Sequence, residues 1–261
     1  MQPLIHPTAF VGPDCDIAED VRIGAFTCLH GKVDVGPGTS IGEHCVLGGG
    51  PLAGDDRLVI GARSMIRSHS VVYAGSRFEA QLETGHHVVI RERTVAGANL
   101  RVGNFSDIEG DCTIGDYCRF HGYVHVGKGT KVGNFVWLFS LTTSTNDPLP
   151  PSRLAEGCVL GDGSVVCVGA TLMPGTILGC GAFVTAGSIA RGDVPDGAVV
   201  SGADGTVVSH VSTLMHLPSG IRHPWMRHFA EAYPPECQDR LRELLDKIAQ
   251  NRFSLKMAGE K

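Results

Sequence analysis

The sequence predicts an all-β fold, a parallel β-helix of about nine coils with a short C-terminal helical segment. Three observations carry this. Aliphatic residues recur every six positions, a small or β-branched residue stands two before each of them, and glycine commonly follows. Glycine, at 35 of 261 residues, is about twice its usual share, while aromatics are only 6%. Such a chain turns often and fills its interior with aliphatics.

The first run comprises Val11, Ile17, Ile23, Leu29, Val35, Ile41 and Leu47. The phase breaks over about 48–59. It resumes at Ile60, Ile66, Val72, Phe78, Ile90, Val102, Ile108, Ile114, Phe120, Val126, Val132 and Leu138, with Thr84 and Ala96 as weak members. After a second break at about 141–157, Leu160, Val166, Leu172, Leu178, Val184 and Ala190 follow. Runs of seven, fourteen and six make 27 hexapeptides, too many for chance. A strand plus a turn occupies six residues, so three hexapeptides close one triangular coil of 18. Residues 18 apart then stack at the inter-strand spacing of about 4.8 Å. Glycine after the aliphatic is expected to serve the turn's backbone conformation. The aliphatic and the residue two before it point inward. Cys15, Cys45, Cys112, Cys118 and Cys158 take that second inward position and read as small buried hydrophobes.

The solenoid domain is placed at 1–200 and a C-terminal extension at 201–261. In the extension, Cys237, Leu241, Leu244, Leu245 and Ile248 follow helical spacing behind Pro234 and Pro235. An amphipathic helix is expected over about 235–250, packed on the solenoid or on a neighbouring subunit.

Composition narrows the function. A net charge of −5 argues against nucleic acid as the main partner. No signal peptide or lipid-spanning stretch is visible, and nine Cys without a CxxC pair read as reduced thiols of a cytoplasmic protein. The outward faces carry few charges for a lone prism, which predicts a homotrimer.

Several outward positions carry candidate chemistry. His121 follows Phe120, and its 18-residue column holds Gly85, Gly103 and Phe139, leaving an open groove beside the ring. Asp107 and Glu109 flank Ile108 on one face, with Asp107 below His125 and Glu109 above Arg91. They form either two surface ion pairs or a polar floor for a ligand. The 141–157 break adds nothing to a solenoid, so a binding role is its default. Asn146 and Asp147 at its turn are either ligand contacts or Asx-turn residues before Pro148.

The hexapeptides, the interruption Thr145-Asn146-Asp147-Pro148-Leu149-Pro150-Pro151-Ser152, and the closing Gly187-Ser188-Ile189 to Asp193-Val194-Pro195 resemble the hexapeptide-repeat acyltransferases. Thr84-Gly85-His86-His87-Val88-Val89-Ile90-Arg91-Glu92, Ser106-Asp107-Ile108-Glu109 and Phe135-Val136-Trp137-Leu138-Phe139 look closest to the N-acyltransferases of nucleotide-linked amino sugars, and His223-Pro224-Trp225 looks like the tail of the dTDP-3-aminosugar N-acetyltransferases. The resemblance implies a left-handed helix, a homotrimer with sites between solenoids, acetyl-CoA or another acyl-CoA as co-substrate, and no metal. The implied reaction is N-acylation of a nucleotide-linked amino sugar such as a dTDP-3-amino-3,6-dideoxyhexose. His121 and Asp107 are then the catalytic candidates. His86, Arg91, Glu109, His125, Asn146 and Asp147 are substrate-binding candidates, Arg91 meeting a diphosphate or pairing with Glu109. Gly169, Ala170, Gly187 and Ser188 would offer backbone amides to pantetheine, and Arg191 would reach a CoA phosphate. His87, His125 and Lys128 depart from the family pattern, where a Lys, an aromatic and an acid are expected. In some members the CoA sulfur itself takes the proton.

Three alternatives remain open: an acyl-carrier-protein-dependent sugar acyltransferase of the lipid A type, suggested by Ile5-His6-Pro7-Thr8-Ala9; a three-His zinc solenoid; and a non-catalytic scaffold. The first lacks its central His-Asp-Cys motif here, and an acidic chain is a poor dock for a carrier protein. For the second, His69 and His87 stack, but Phe105 continues the column. The 141–157 break argues against the third.

Overall fold

A computed structural model describes residues 2–51, 56–223 and 233–250. The chain winds into a triangular parallel β-solenoid of about eleven turns. Its first sheet has twelve strands, from Leu4–Ile5 to Thr206–His210, and the other two have ten each. Neighbouring strands pair in parallel, as Asp107 with His125 and Phe120 with Leu138, 18 residues apart. Thr206–His210 folds back antiparallel on Ala198–Ser201 and covers that end of the first sheet.

The coil count exceeds the nine expected. Leu4–Ile5, Thr143–Ser144, Asp193–Val194 and Ala198–Ser201 are also lattice strands. Polar inward residues conceal the second of these. Thr142 Oγ1 donates to the Phe139 carbonyl at 2.6 Å and Ser144 Oγ accepts the Gly127 N–H at 2.9 Å. The lattice therefore leaves off after Ser144 rather than at 141.

The core is one aliphatic column, with Ile23, Leu29, Ile41, Leu47, Ile66, Ile90, Ile108 and Leu172 at 3% exposure or less. Cys45, Cys112, Cys118 and Cys158 belong to it, and burial lifts the Cys112 and Cys158 thiols to about 11 and Cys118 to about 12. Cys15 is only half-buried, because it lies in the terminal coil with nothing stacked beneath.

Glycine's role differs from the expectation. Apart from Gly48, the glycine after the aliphatic has ordinary φ; it is there because coils touch. A Cβ on Gly24 would stand 2.7 Å from the Gly42 carbonyl carbon, and one on Gly61 2.4 Å from that of Glu79. The left-handed backbone falls two residues later and is mostly taken by larger residues, among them Phe26, His44, His69, His87, Phe105 and Tyr123, at φ 55–61°. Each such residue costs about 1–2 kcal/mol. These six form a ladder along the corner between the first and second sheets, with ring centroids 4.7–5.2 Å apart. Ring pairs return about 0.5–1.5 kcal/mol each, which offsets part of that strain.

The helix α1 (Gln238–Gln250), preceded by a 3-10 turn at Pro235–Cys237, packs on the solenoid at the corner between the third and first sheets. Leu241, Leu245 and Ile248 are buried there with Cys237. Gly163 and Gly181 flatten that corner to admit Leu244 and Ile248. Pro224, Trp225 and Phe229 lie outside the described residues.

Candidate functional site

Gly85 and Gly103, stacked at one position of the first sheet, leave a groove that Gly122, one residue beyond their register partner His121, extends. Gly85, Gly103 and Gly122 floor a cavity of about 450 Å³ walled by Arg67, Glu83, Arg101, His86 and Asn104. His121 follows Phe120, a lining residue, at the start of the turn. The side-chain-free floor is a by-product of stacking: a Cβ on Gly103 would lie 2.4 Å from the His121 carbonyl carbon.

His121 is half-buried, with Phe139 4.5 Å and Trp137 5.8 Å from its ring centroid. Burial holds its pKa below the ordinary imidazole value. The ring is therefore neutral at pH 7 and able to accept a proton. His86 is exposed and oriented, sharing a hydrogen bond of 2.8 Å with Ser68 Oγ through Nδ1, while its backbone N–H donates to Asn104 Oδ1 at 2.8 Å.

The groove holds cations that sequence reasoning missed. Glu83 lies between Arg67 Nη2 at 2.8 Å and Arg101 Nε at 3.3 Å. A second cavity of about 510 Å³, lined by Arg63, Met65, Gln81, Asn99 and Tyr233, shares Glu83 and Arg101 with the first. Arg63 and Arg67 flank the strand Met65–Ile66 in one coil and Arg101 lies two coils further on, so coil stacking assembles them. Counting in steps of 18 from Glu83 lands on Met65 and Arg101 and would have found the last.

The other candidates do not join this groove within one chain. Asp107, Glu109, His125 and Arg91 belong to the second sheet, beyond the corner bearing Phe105 and Tyr123. Asp107 is not an open carboxylate. Its Oδ2 meets His125 Nδ1 at 2.8 Å, and this hydrogen bond raises the His125 pKa against the lowering effect of burial. Arg91 does not pair with Glu109. It turns to the adjacent Glu92 at 3.0 Å, and Glu109 Oε2 accepts the Lys128 N–H at 3.2 Å. Lys128 itself pairs with Asp111 at 3.0 Å.

In the loop after Ser144, Asp147 is a structural clasp. Its carboxylate accepts from Ser152 Oγ at 2.5 Å, the Ser152 N–H at 2.7 Å and the Leu149 N–H at 2.9 Å. The Ser152 bonds push its pKa down. Asn146 closes the loop's base by accepting the Glu156 N–H at 2.7 Å through its carbonyl.

The expected strip of free amides is absent at 169–170 and 187–188. Gly169 and Gly187 are exposed, but their N–H groups donate to Ser140 and Val168. Ala170 and Ser188 point into the core at 0% and 2% exposure, and their amides are also engaged. Arg191 is exposed and donates to the Ala203 carbonyl at 3.0 Å.

Among the described residues, no group of three or more His, Cys, Asp or Glu could hold a metal. The stacked His44, His69 and His87 lie with parallel rings and do not converge on a point. The 18-residue rule missed His44, because the 48–59 insertion lengthens that step to 25. Among the same residues, no helix is long and apolar enough to cross a membrane.

No family model matches the chain. Curated proteins do. An acyl-[acyl-carrier-protein]–UDP-N-acetylglucosamine O-acyltransferase of Stenotrophomonas maltophilia (strain R551-3) is 32% identical over 189 residues, covering 61% of this chain and 72% of that enzyme. One of Saccharophagus degradans is 34% identical over 131 residues, 50% of this chain and 48% of the relative. The bifunctional protein GlmU of an Exiguobacterium species is 30% identical over 192 residues, 74% of this chain and 39% of the relative. The match thus spans about half or less of the latter two. Among solved structures, LpxA, a UDP-N-acetylglucosamine acyltransferase of Bacteroides fragilis 9343, superposes with a TM-score of 0.50 at 14% identity, covering 96% of this chain and 87% of that one. The repeat, the three-sheet solenoid and the 32% identity along most of the Stenotrophomonas enzyme place this chain in the family of hexapeptide-repeat, left-handed β-helix acyltransferases.

Proposed function

We propose that the chain is an acyl-CoA-dependent N-acyltransferase of a nucleotide-linked amino sugar, working as a homotrimer in the cytoplasm. The observation that carries this reading is the glycine-floored groove beside a neutral His121, flanked by Arg67 and Arg101. In the reaction, the amine nitrogen attacks the thioester carbonyl carbon, the carbon–sulfur bond breaks, and the thiolate leaves. The amine's proton passes to His121 or to the departing sulfur. Arg67 and Arg101 carry the charge a diphosphate needs and take the role first given to Arg91. Glu83 holds both guanidiniums and is displaced by the more highly charged ligand. Asp107 and His125 act as a pair on the second sheet, presented to a neighbouring solenoid's groove. The loop of Asn146 and Asp147, and the exposed Gly169, Gly187 and Arg191, border the donor's path in the same trimer.

A second reading, transfer from acyl carrier protein to a sugar hydroxyl, is favoured by the activity of the Saccharophagus and Stenotrophomonas relatives. The net charge of −5 works against an acidic carrier. Mass spectrometry separates the two. The purified chain is incubated with acetyl-CoA and dTDP-3-amino-3,6-dideoxyhexose, and separately with acyl carrier protein thioester and UDP-N-acetylglucosamine. Gain of one acetyl group in the first mixture supports the proposal; product only in the second overturns it.

A further inference from the structure

The C-terminal segment reaches the rings beside His121 through one side chain. Tyr233 is 6% exposed, with the Arg119 guanidinium 4.6 Å from its ring centroid. Phe135 and Trp137 meet it edge-on at 5.4 and 6.3 Å. Its hydroxyl accepts the Trp137 Nε1–H at 2.7 Å. Trp137 stacks on Phe139 at 5.7 Å, and these two rings flank His121 at 5.8 and 4.5 Å. Tyr233 also lines the second cavity, which shares Glu83 and Arg101 with the groove.

An indole on an outward strand position can swing about two side-chain torsions, and packing alone leaves it several rotamers. A hydrogen bond to a buried hydroxyl selects one, because breaking it strands a donor and an acceptor away from water. That orientation decides how closely the aromatic wall covers His121. We propose that Tyr233 is a positioning residue: by holding the Trp137 indole it fixes and shields the His121 ring, making the C-terminal segment part of the site. The catalytic relevance, though not the positioning, rests on the proposed role of His121 as base.

The test is a nitrogen-detected NMR titration of the full chain with ¹⁵N-labelled histidine, His121 being identified by its absence in His121→Asn. Wild type is compared with Tyr233→Phe, Trp137→Phe and the double variant. Tyr233→Phe keeps the ring and loses only the hydroxyl, while Trp137→Phe loses the donor from the other side. The expected result is that His121 titrates below the ordinary value of about 6.5 in wild type and moves up toward it in both single variants. The double variant should move it no further, since both changes remove one bond. An unchanged His121 titration in both single variants, with only thermal stability altered, overturns the proposal and leaves Tyr233 as a tether for α1. Turnover is read separately. If the titration shifts, the acidic limb of kcat should shift with it and kcat fall about tenfold to 10²-fold at constant KM. A titration shift with no change in the pH–rate profile upholds the positioning and overturns the base role of His121.

Discussion

His121 and His125 are four residues apart and are tuned in opposite directions. An aromatic wall buries the first and disfavours its charge, while the Asp107 carboxylate favours charge on the second. The neutral ring suits proton acceptance, so His121→Asn should lower kcat by about 10²–10⁴-fold in the acetyl-transfer assay with the fold intact. If the leaving sulfur takes the proton, the loss stays below about tenfold. For His125 the sign follows from its raised folded pKa. Its pairing contributes stability that is fully present below about pH 6.5 and is lost as pH rises through the folded value. Both partners are a third or more exposed, at 33% and 45%, so the contribution is below about 1 kcal/mol. Thermal melts across pH 5.5–9 should show Asp107→Asn destabilised at the acidic end and converging on wild type at the alkaline end. A constant difference would show that the pair's charge contributes nothing.

At the scale of the element, the hexapeptide has two backbone-critical positions with different physics. The glycine after the aliphatic has no room, and the corner residue two places on has room but left-handed φ. Gly61→Ala drives a Cβ to 2.4 Å from the next coil and should cost about 1–3 kcal/mol, read as a clear drop in Tm. Gly187→Ala meets nothing within 4 Å and should cost only about 1 kcal/mol of backbone strain. Equal losses would mean that stacking is looser than these contacts. The loop after Ser144 is a separate element, closed at its base by Asn146 and Glu156 and clasped by Asp147. Replacing 147–155 with a short glycine linker removes no stacked strand. Melting should change little while turnover collapses; full turnover in that variant would make the loop ornamental.

The whole molecule leaves a row of rings uncovered. Phe26, Phe105 and Tyr123 are 49–57% exposed along the first corner, with Leu141 continuing the row at 58%. Together with the division of the candidates between two sheets, this supports a site completed by a second copy. Sedimentation should give about 83 kDa, three times the chain mass of 27.6 kDa, and a dilution-resistant 27.6 kDa species would defeat it.

By itself the sequence determined the period, the inward columns and the buried cysteines, because a residue's face in a solenoid depends only on its place in the repeat. It also located Gly85 and Gly103 beneath His121. What it could not determine was anything that crosses a break in phase or depends on side-chain reach. The insertion at 48–59 hid the His44–His69 stack, and side-chain reach hid the convergence of Arg67 and Arg101 on Glu83. Thr142 and Ser144, polar yet inward, disguised a strand as loop. Arg91 chose its neighbour Glu92 over Glu109, whereas Asp107 took the His125 partner that the 18-residue spacing had offered. Tyr233 met Trp137 across 96 residues of chain. Stacking is a local, repeated contact and is written into spacing, whereas these partnerships are settled by which groups come within about 3 Å once the coils are closed.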